Sequence, residues 1–198
     1  MPRFAFIGQR LWLDFVNTDH DTKAGRVDAL DSFEALLAWF GAAQVLDPER
    51  VDSMQRRAAQ QPAGATAALH DARRVRAALR VLAERGLRDA TPALTEINRV
   101  LSRAVGARRI EPRDDGTLVR SFIPSGDAFA QLIVPIVDSA ADTLVSGELA
   151  RVRRCASATC ARVFFDASRN GRRRWCDMRT CGNRAKATRH RKKRKTAR

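Results

Sequence analysis

Four cysteines, Cys155, Cys160, Cys176 and Cys181, constrain this 198-residue chain more than any other feature. They form two pairs, each with four residues between its members, and fifteen residues separate the pairs. A pair at this spacing closes a knuckle that presents two thiolates on one side, and the long spacer has room for a hairpin that folds one pair onto the other. Four sulfurs then fill a tetrahedron. That donor set suits zinc best, although the spacing alone also admits an iron–sulfur centre. With every coordination position taken by protein, such a zinc is structural, one per chain, because catalysis needs a position open to water or substrate. The competing reading, free or redox-paired thiols, fits poorly with four cysteines gathered into 27 residues of a chain that has no others.

The charge is equally lopsided. The chain carries a formal +15, and residues 151–198 hold 18 of its 37 Lys and Arg against two acids, Asp166 and Asp177. That end is therefore +16 and the preceding 150 residues −1. A near-neutral body joined to an intensely basic end calls for a polyanionic partner at that end. Gly8, Gln9 and Arg10 interrupt the apolar N-terminal stretch before it can serve as a signal peptide. The nearest approach to a membrane span, "FAQLIVPIV", is far short of about 20 residues. A cytoplasmic, reducing location is expected, with no membrane partner; the tail also lacks the apolar face of an interfacial helix.

Residues 1–150 are expected to form a mainly α domain with one β-hairpin insertion. Asp31 and Glu34 have the spacing of a capping box, ahead of a face made by Phe33, Leu36, Leu37 and Phe40 that Gly41 should end. Asp47 with Pro48, and Thr91 with Pro92, read as two further caps followed by proline at the first helical position. Between them Leu69, Ala72, Val75, Leu79 and Leu82 share a helical face with arginines opposite, and Leu94, Ile97, Leu101 and Ala104 make a second seam. Pro62 and Gly64 read as a connecting loop. "ARRIEPRDDGTLVRSF" predicts a hairpin turning at "DDG". "DAFAQLIVPIVDSAADTLVSG" predicts a long helix kinked by Pro135.

No nucleophile–base pair or glycine-rich phosphate loop appears, so no catalytic residue is assigned and an enzyme is not expected. In "LDFVNTDHD", Asp19, His20 and Asp21 could in principle ligate a metal or move a proton, but such a cluster after an apolar run is more often a turn or cap. Asp14 and Asn17 lie within the apolar run itself, which points to a buried polar network or a small pocket. His70 reads as a solvated helix residue. In the basic end, Val163, Phe164, Phe165 and Trp175 are nearly the whole apolar supply. They should pack beside the metal; Phe164 or Trp175 stacking on an unpaired base is the less favoured reading.

The stretch "RVRRCASATCARVFFDASRNGRRRWCDMRTCGNRAKATRHRKK" resembles the CGNR zinc finger family. Its two Cys pairs are joined by Phe165, Asp166, Ser168, Arg169 and Asn170, approached through Arg173, Arg174 and Trp175, and closed by Cys181, Gly182, Asn183 and Arg184. The preceding part, with "LDFVNT" near its start, is similar to the ABATE domain that accompanies such fingers. The resemblance implies a regulator of transcription induced by stress. The boundaries expected are 1–150 for the helical domain, 151–192 for a small four-cysteine zinc finger of hairpin and helix, and 193–198 for a basic disordered tail.

Gly182 would allow a tight turn after the last ligand, from which a helix begins. Arg172, Arg173, Arg174, Lys186, Arg189, Arg191 and Lys192 are candidates for phosphate contact. Asn183 and Arg184 have the chemistry to read adenine and guanine edges, or, for Asn183, to cap the knuckle. The expected function is nucleic-acid binding, with DNA favoured over RNA, and a helical part that senses a small-molecule effector or forms a homodimer. Two alternatives stay open: an RNA-binding protein using the same finger, and an enzyme acting near Asp14 and Asn17 with the finger as a tether.

Overall fold

The computed structural model describes residues 4–22, 25–112 and 116–196, with side chains excluded at 89 and from 190 onward. Its first helix, α1 (Leu11–Val16), is buried along nearly its whole length, and the hairpin β1 (Asp19–Thr22) and β2 (Gly25–Asp28) follows it. Asp19, His20 and Asp21 thus belong to a strand rather than to the turn expected from their composition.

Helix α2 (Phe33–Ala42) is capped one residue later than the Asp31–Glu34 pattern suggests: the Ser32 hydroxyl accepts from the Ala35 amide at 3.1 Å. Gly41 does not end it. Gln44 adopts the left-handed conformation (φ 57°) instead, while the Val45 amide donates to Phe40 O and the Gln44 amide to Gly41 O, which satisfies the last carbonyls. Helix α3 (Pro48–Gln60) begins as expected, with Asp47 accepting from the Arg50 amide at 2.8 Å. Pro62 and Gly64 are not a loop but the first turn of α4 (Pro62–Arg85), because proline's fixed φ and missing amide suit that position.

Helix α5 (Thr91–Leu101) starts at Thr91 itself, with Ala90 at the cap position, and buries Ala93, Ile97 and Val100. Leu94 is exposed, so this seam is rotated by one residue from the expected one. The predicted hairpin is present as β3 (Gly106–Pro112) and β4 (Leu118–Pro124), and the two Asp of its "DDG" turn lie outside the described residues. The kink at Pro135 is a break: α6 (Ala128–Gln131) ends before α7 (Val134–Val145), with Pro135 in the first turn of α7. Residues 128–145 are long and apolar enough to cross a membrane (mean hydropathy 1.4 over 18 residues), but half of this stretch is buried inside the protein.

The core gathers Trp12, Phe15, Trp39 and Phe40 with the inner faces of α4, α5 and α7; the Phe15 and Trp39 rings meet edge-on at 5.2 Å. The arginines of α4 are not simply opposite this seam. Arg76 is buried and grips Asp28 through two hydrogen bonds of 2.8 and 2.7 Å, with a third to the Thr18 hydroxyl at 2.9 Å. Arg73 donates to Leu30 O, and Arg80 donates to the carbonyls of Val16 and Asp19. These three side chains clamp the β1–β2 hairpin onto α4. Asp19 is held below its ordinary value, first by its hydrogen bond from Arg26 and, against the burial that pushes it up, by the nearby charges of Arg76 and Arg80. His70 is exposed on α4.

The C-terminal part is a short hairpin, β5 (Val152–Arg154) and β6 (Val163–Phe165), then a π-helical turn Met178–Gly182 and helix α8 (Asn183–Thr196). The helical backbone reaches Thr196 where a disordered tail from 193 was expected; Ala, Lys and Arg are all good helix formers.

Candidate metal centre and nucleic-acid interface

Two backbone knuckles bring the four sulfurs together. At the first, the Cys160 amide donates to Ser157 O at 3.0 Å; at the second, the Asp177 carboxylate caps the π-helical turn by accepting from the Arg179 amide at 2.8 Å. The Ala156 amide donates to Arg174 O at 2.8 Å, which ties the knuckles to each other. All four Sγ atoms lie within 4.8 Å of one another, with Cys160–Cys176 at 3.7 Å and Cys176–Cys181 at 3.8 Å. Sulfurs about 2.3 Å from a central zinc would form a tetrahedron with edges of about 3.8 Å, so the donor set has the dimensions of a zinc site. Among the described residues this is the only such group of potential ligands.

The thiols are coupled. Cys160 is brought down to about 5, chiefly by its hydrogen bond with Cys176, and Cys176 is pushed up by that same bond and by burial. Cys181 is raised, first by burial. Ionising all four together requires a cation among them, and one zinc provides it.

Asp166 organises the spacer between the pairs. Fully buried, it accepts from the Ser168 amide and hydroxyl at 3.0 and 2.5 Å and from the Arg173 amide at 2.9 Å. These bonds hold it below its ordinary value against the burial that pushes it up. Gly171, at φ +60°, completes the loop. Gly182 plays a different part from the one expected: its φ is not positive, and a Cβ there would come within 2.8 Å of the Met178 sulfur.

The finger is seated in the helical domain. Asn17 donates from Nδ2 to Val163 O at 2.8 Å and accepts from the Val163 amide at Oδ1 at 2.9 Å. The Phe165 amide donates to Gly8 O at 2.8 Å. With its amide oriented to satisfy both neighbours, Gln9 donates to Phe165 O at 3.2 Å and accepts from Arg173 at 2.9 Å. The Arg10 guanidinium lies over the Phe165 ring, 3.7 Å from its centroid. Asp14, also buried, accepts from the Gly8 amide at 2.6 Å, and a Cβ on Gly8 would come within 2.8 Å of the Asp14 amide nitrogen. Burial raises Asp14 to about 6 despite the amides of Gly8 and Ile7. Asn17 thus fastens the finger directly, while Asp14 acts separately, holding the Gly8 turn whose carbonyl accepts from the Phe165 amide.

The apolar residues of the finger divide accordingly. Val163 and Phe165 join the main core, while Phe164 and Trp175 pack beside the cysteines. Phe164 is fully buried and has no face to offer a base.

A model of the ABATE family, described as "Putative stress-induced transcription regulator", matches residues 9–147. The chain belongs to the ABATE family. A second model, the CGNR zinc finger, matches residues 151–194. No match was found among the curated proteins. The ABATE domain and the finger together accord with a nucleic-acid-binding regulator, and the finger's four cysteines are the site of one structural zinc.

The structure sorts the other candidates in this ABATE-family chain. Arg172, Arg174, Asn183, Arg184, Lys186 and Arg189 are exposed. Arg174 lies over the Trp175 ring at 5.3 Å, and Arg184 donates to the Thr159 hydroxyl at 3.0 Å. Asn183 donates to Arg179 O at 3.2 Å, the knuckle contact weighed from the sequence. Arg173 is engaged by the fold: it donates to the carbonyls of Trp175 and Cys176 and lies over Phe164 at 4.6 Å. The side chains of Arg191 and Lys192 lie outside the described residues. Arg179, in the turn between Cys176 and Cys181, is also exposed and was not among the sequence candidates.

Proposed function

We propose that this chain is a cytoplasmic, non-enzymatic transcription regulator that binds duplex DNA through its finger and acts in a stress response. The observation carrying this reading is that α8 starts two residues after the ligand Cys181 and presents Arg184, Lys186 and Arg189 to solvent. A zinc-anchored helix holds these cations in fixed positions, where phosphates attract them, and Asn183 and Arg184 stand closest to the rigid end. Arg172, Arg174 and Arg179 extend the same positive surface around the knuckles, while Arg173 acts as a strut. Against RNA as the preferred partner, the spacer supplies Trp175 as its only aromatic face that is not fully buried.

The test is a fluorescence-anisotropy titration of the full chain with duplex DNA and with structured RNA across a range of salt. Tighter binding to the duplex, with log K falling against log salt at a slope of about 0.9 per phosphate neutralised, supports the reading. Tighter binding to RNA would reassign the partner, and salt-independent binding would remove the basic surface from the account.

A further inference from the structure

A cleft of about 990 Å³ opens in the helical domain between the hairpin β3–β4, helix α7 and the connection from α2 to α3. Leu11, Val45, Val119, Phe122, Pro135 and Val145 give it an apolar wall. Five carboxylates line it, from Asp47, Glu111, Asp138, Asp142 and Glu148, against three guanidiniums. Each of those three is already paired with an acid of the same lining: Arg10 with Glu148 at 2.9 Å, Arg50 with Asp47 at 3.4 Å and Arg120 with Asp142 at 2.8 Å. A fourth lining acid, Asp138, is held by Arg108 at 3.0 Å, which leaves Glu111 as the lining carboxylate with no ion pair among the described residues; an entering anion would have to break a pair, whereas a cation meets Glu111 free. Ser121, another lining residue, has its hydroxyl buried with no hydrogen-bond partner among the described residues.

We propose that this cleft is an effector site for an organic cation on an apolar body, and that Arg10 transmits its occupancy to the finger. Arg10 belongs to both places. One nitrogen pairs with Glu148 in the cleft, while the same guanidinium covers Phe165 of β6. Gln9, the residue before it, is held in the left-handed region at φ 60°, a conformation that persists where neighbouring contacts enforce it. A cation that takes over Glu148 competes with Arg10 for its partner, and Arg10 then leaves the ring of Phe165. Strand β6 loses one of the contacts that seat the finger, and the zinc knuckles are held less firmly. Only the regulatory consequence of this inference rests on the DNA-binding reading; the site and its link to zinc do not.

Tetraphenylphosphonium and tetraphenylborate have nearly the same shape and opposite charge, which suits them to calorimetric titration against the full zinc-loaded chain. The cation is expected to bind at least about tenfold tighter than the anion. Glu111→Gln and Glu148→Gln should each weaken cation binding severalfold. Zinc affinity, measured by competition with a chromogenic chelator, should fall about fivefold at saturating cation, a typical coupling between sites. By reciprocity the zinc-stripped chain should bind the cation tighter by the same factor. Glu148→Gln should show the lowered zinc affinity without ligand, whereas Glu111→Gln should leave it unchanged.

Equal or tighter binding of tetraphenylborate, or cation binding indifferent to both substitutions, overturns the site. Cation binding that leaves zinc affinity unchanged overturns the role of Arg10. A zinc response with no DNA binding at all would support this inference while refuting the proposed function.

Discussion

The side-chain amide of Asn17 lies against Val163 as a neighbouring strand would, giving and receiving one hydrogen bond each with its backbone. Both residues are buried. Asn17→Ala would leave a buried N–H and a buried C=O unpaired, at a cost of about 1–3 kcal/mol each. Urea unfolding should show a loss of about 2–5 kcal/mol. Asn17→Asp keeps the acceptor for the Val163 amide but sets a carboxylate against the carbonyl, and it should be at least as damaging.

Zinc removal should unfold one region and spare the other. The finger has little apolar material of its own, and metal binding to such sites contributes on the order of 10 kcal/mol at neutral pH. Chelation, or Cys176→Ser, should therefore expose Phe164 and Trp175 while α2 to α5 keep their packing. Amide exchange followed by mass spectrometry reads this: protection should be lost over 155–160 and 174–182 and retained in Leu69–Leu82 and in β6, which joins the main core.

Asp14 sets a pH dependence. Its folded pKa of about 6 lies above the ordinary 3.8, so between these values the folded chain holds a proton that the unfolded chain has released. Stability from this group is greatest below about pH 4, falls as pH rises through 6, and is flat above. A shift of roughly two units corresponds to about 3 kcal/mol. Asp14→Asn keeps an acceptor for the Gly8 amide and removes the titration. Denaturation at pH 4 and pH 7 should show the variant gaining about 2–3 kcal/mol on the parent across that range.

Arg76 should be costly to remove and less costly together with its partner. Arg76→Met strips Asp28 and the Thr18 hydroxyl of a buried donor; because Asp28 is partly exposed, the loss should fall at the lower end of the about 3–5 kcal/mol that breaking one side of a buried pair costs. Arg76→Met with Asp28→Asn should cost less than the sum of the two single changes, as a double-mutant cycle in urea would show.

The zinc site was legible because its chemistry demands a fixed number of one rare residue at short spacings, and nothing else in the chain competes for that reading. Caps such as Asp47 were legible for a similar reason: donor and acceptor are three residues apart. Asn17 was readable only as an anomaly, a polar side chain in an apolar run, because its partner stands 146 residues away. Periodicity placed Arg73, Arg76 and Arg80 opposite the core seam but carried no sign of the carbonyls of Val16, Asp19 and Leu30 that they reach. The split of Val163 and Phe165 from Phe164 follows strand alternation, a period-2 signal present in "VFF" but too short to stand out. The rotation of α5 by one residue reflects the same weakness, since Ala93 and Val100 make as good a seam as Leu94 and Leu101 until packing chooses.

Stripping and restoring zinc while following duplex binding tests the central claim most directly. Removing Zn²⁺ from four thiolates that then protonate makes the finger more positive by two charges, so electrostatic attraction alone would hold affinity steady or strengthen it. If the metal instead fixes α8 and its arginines in a binding geometry, affinity for duplex DNA should fall about tenfold or more on removal and recover when one equivalent of zinc is returned. Equal or tighter binding by the zinc-free chain would contradict the account.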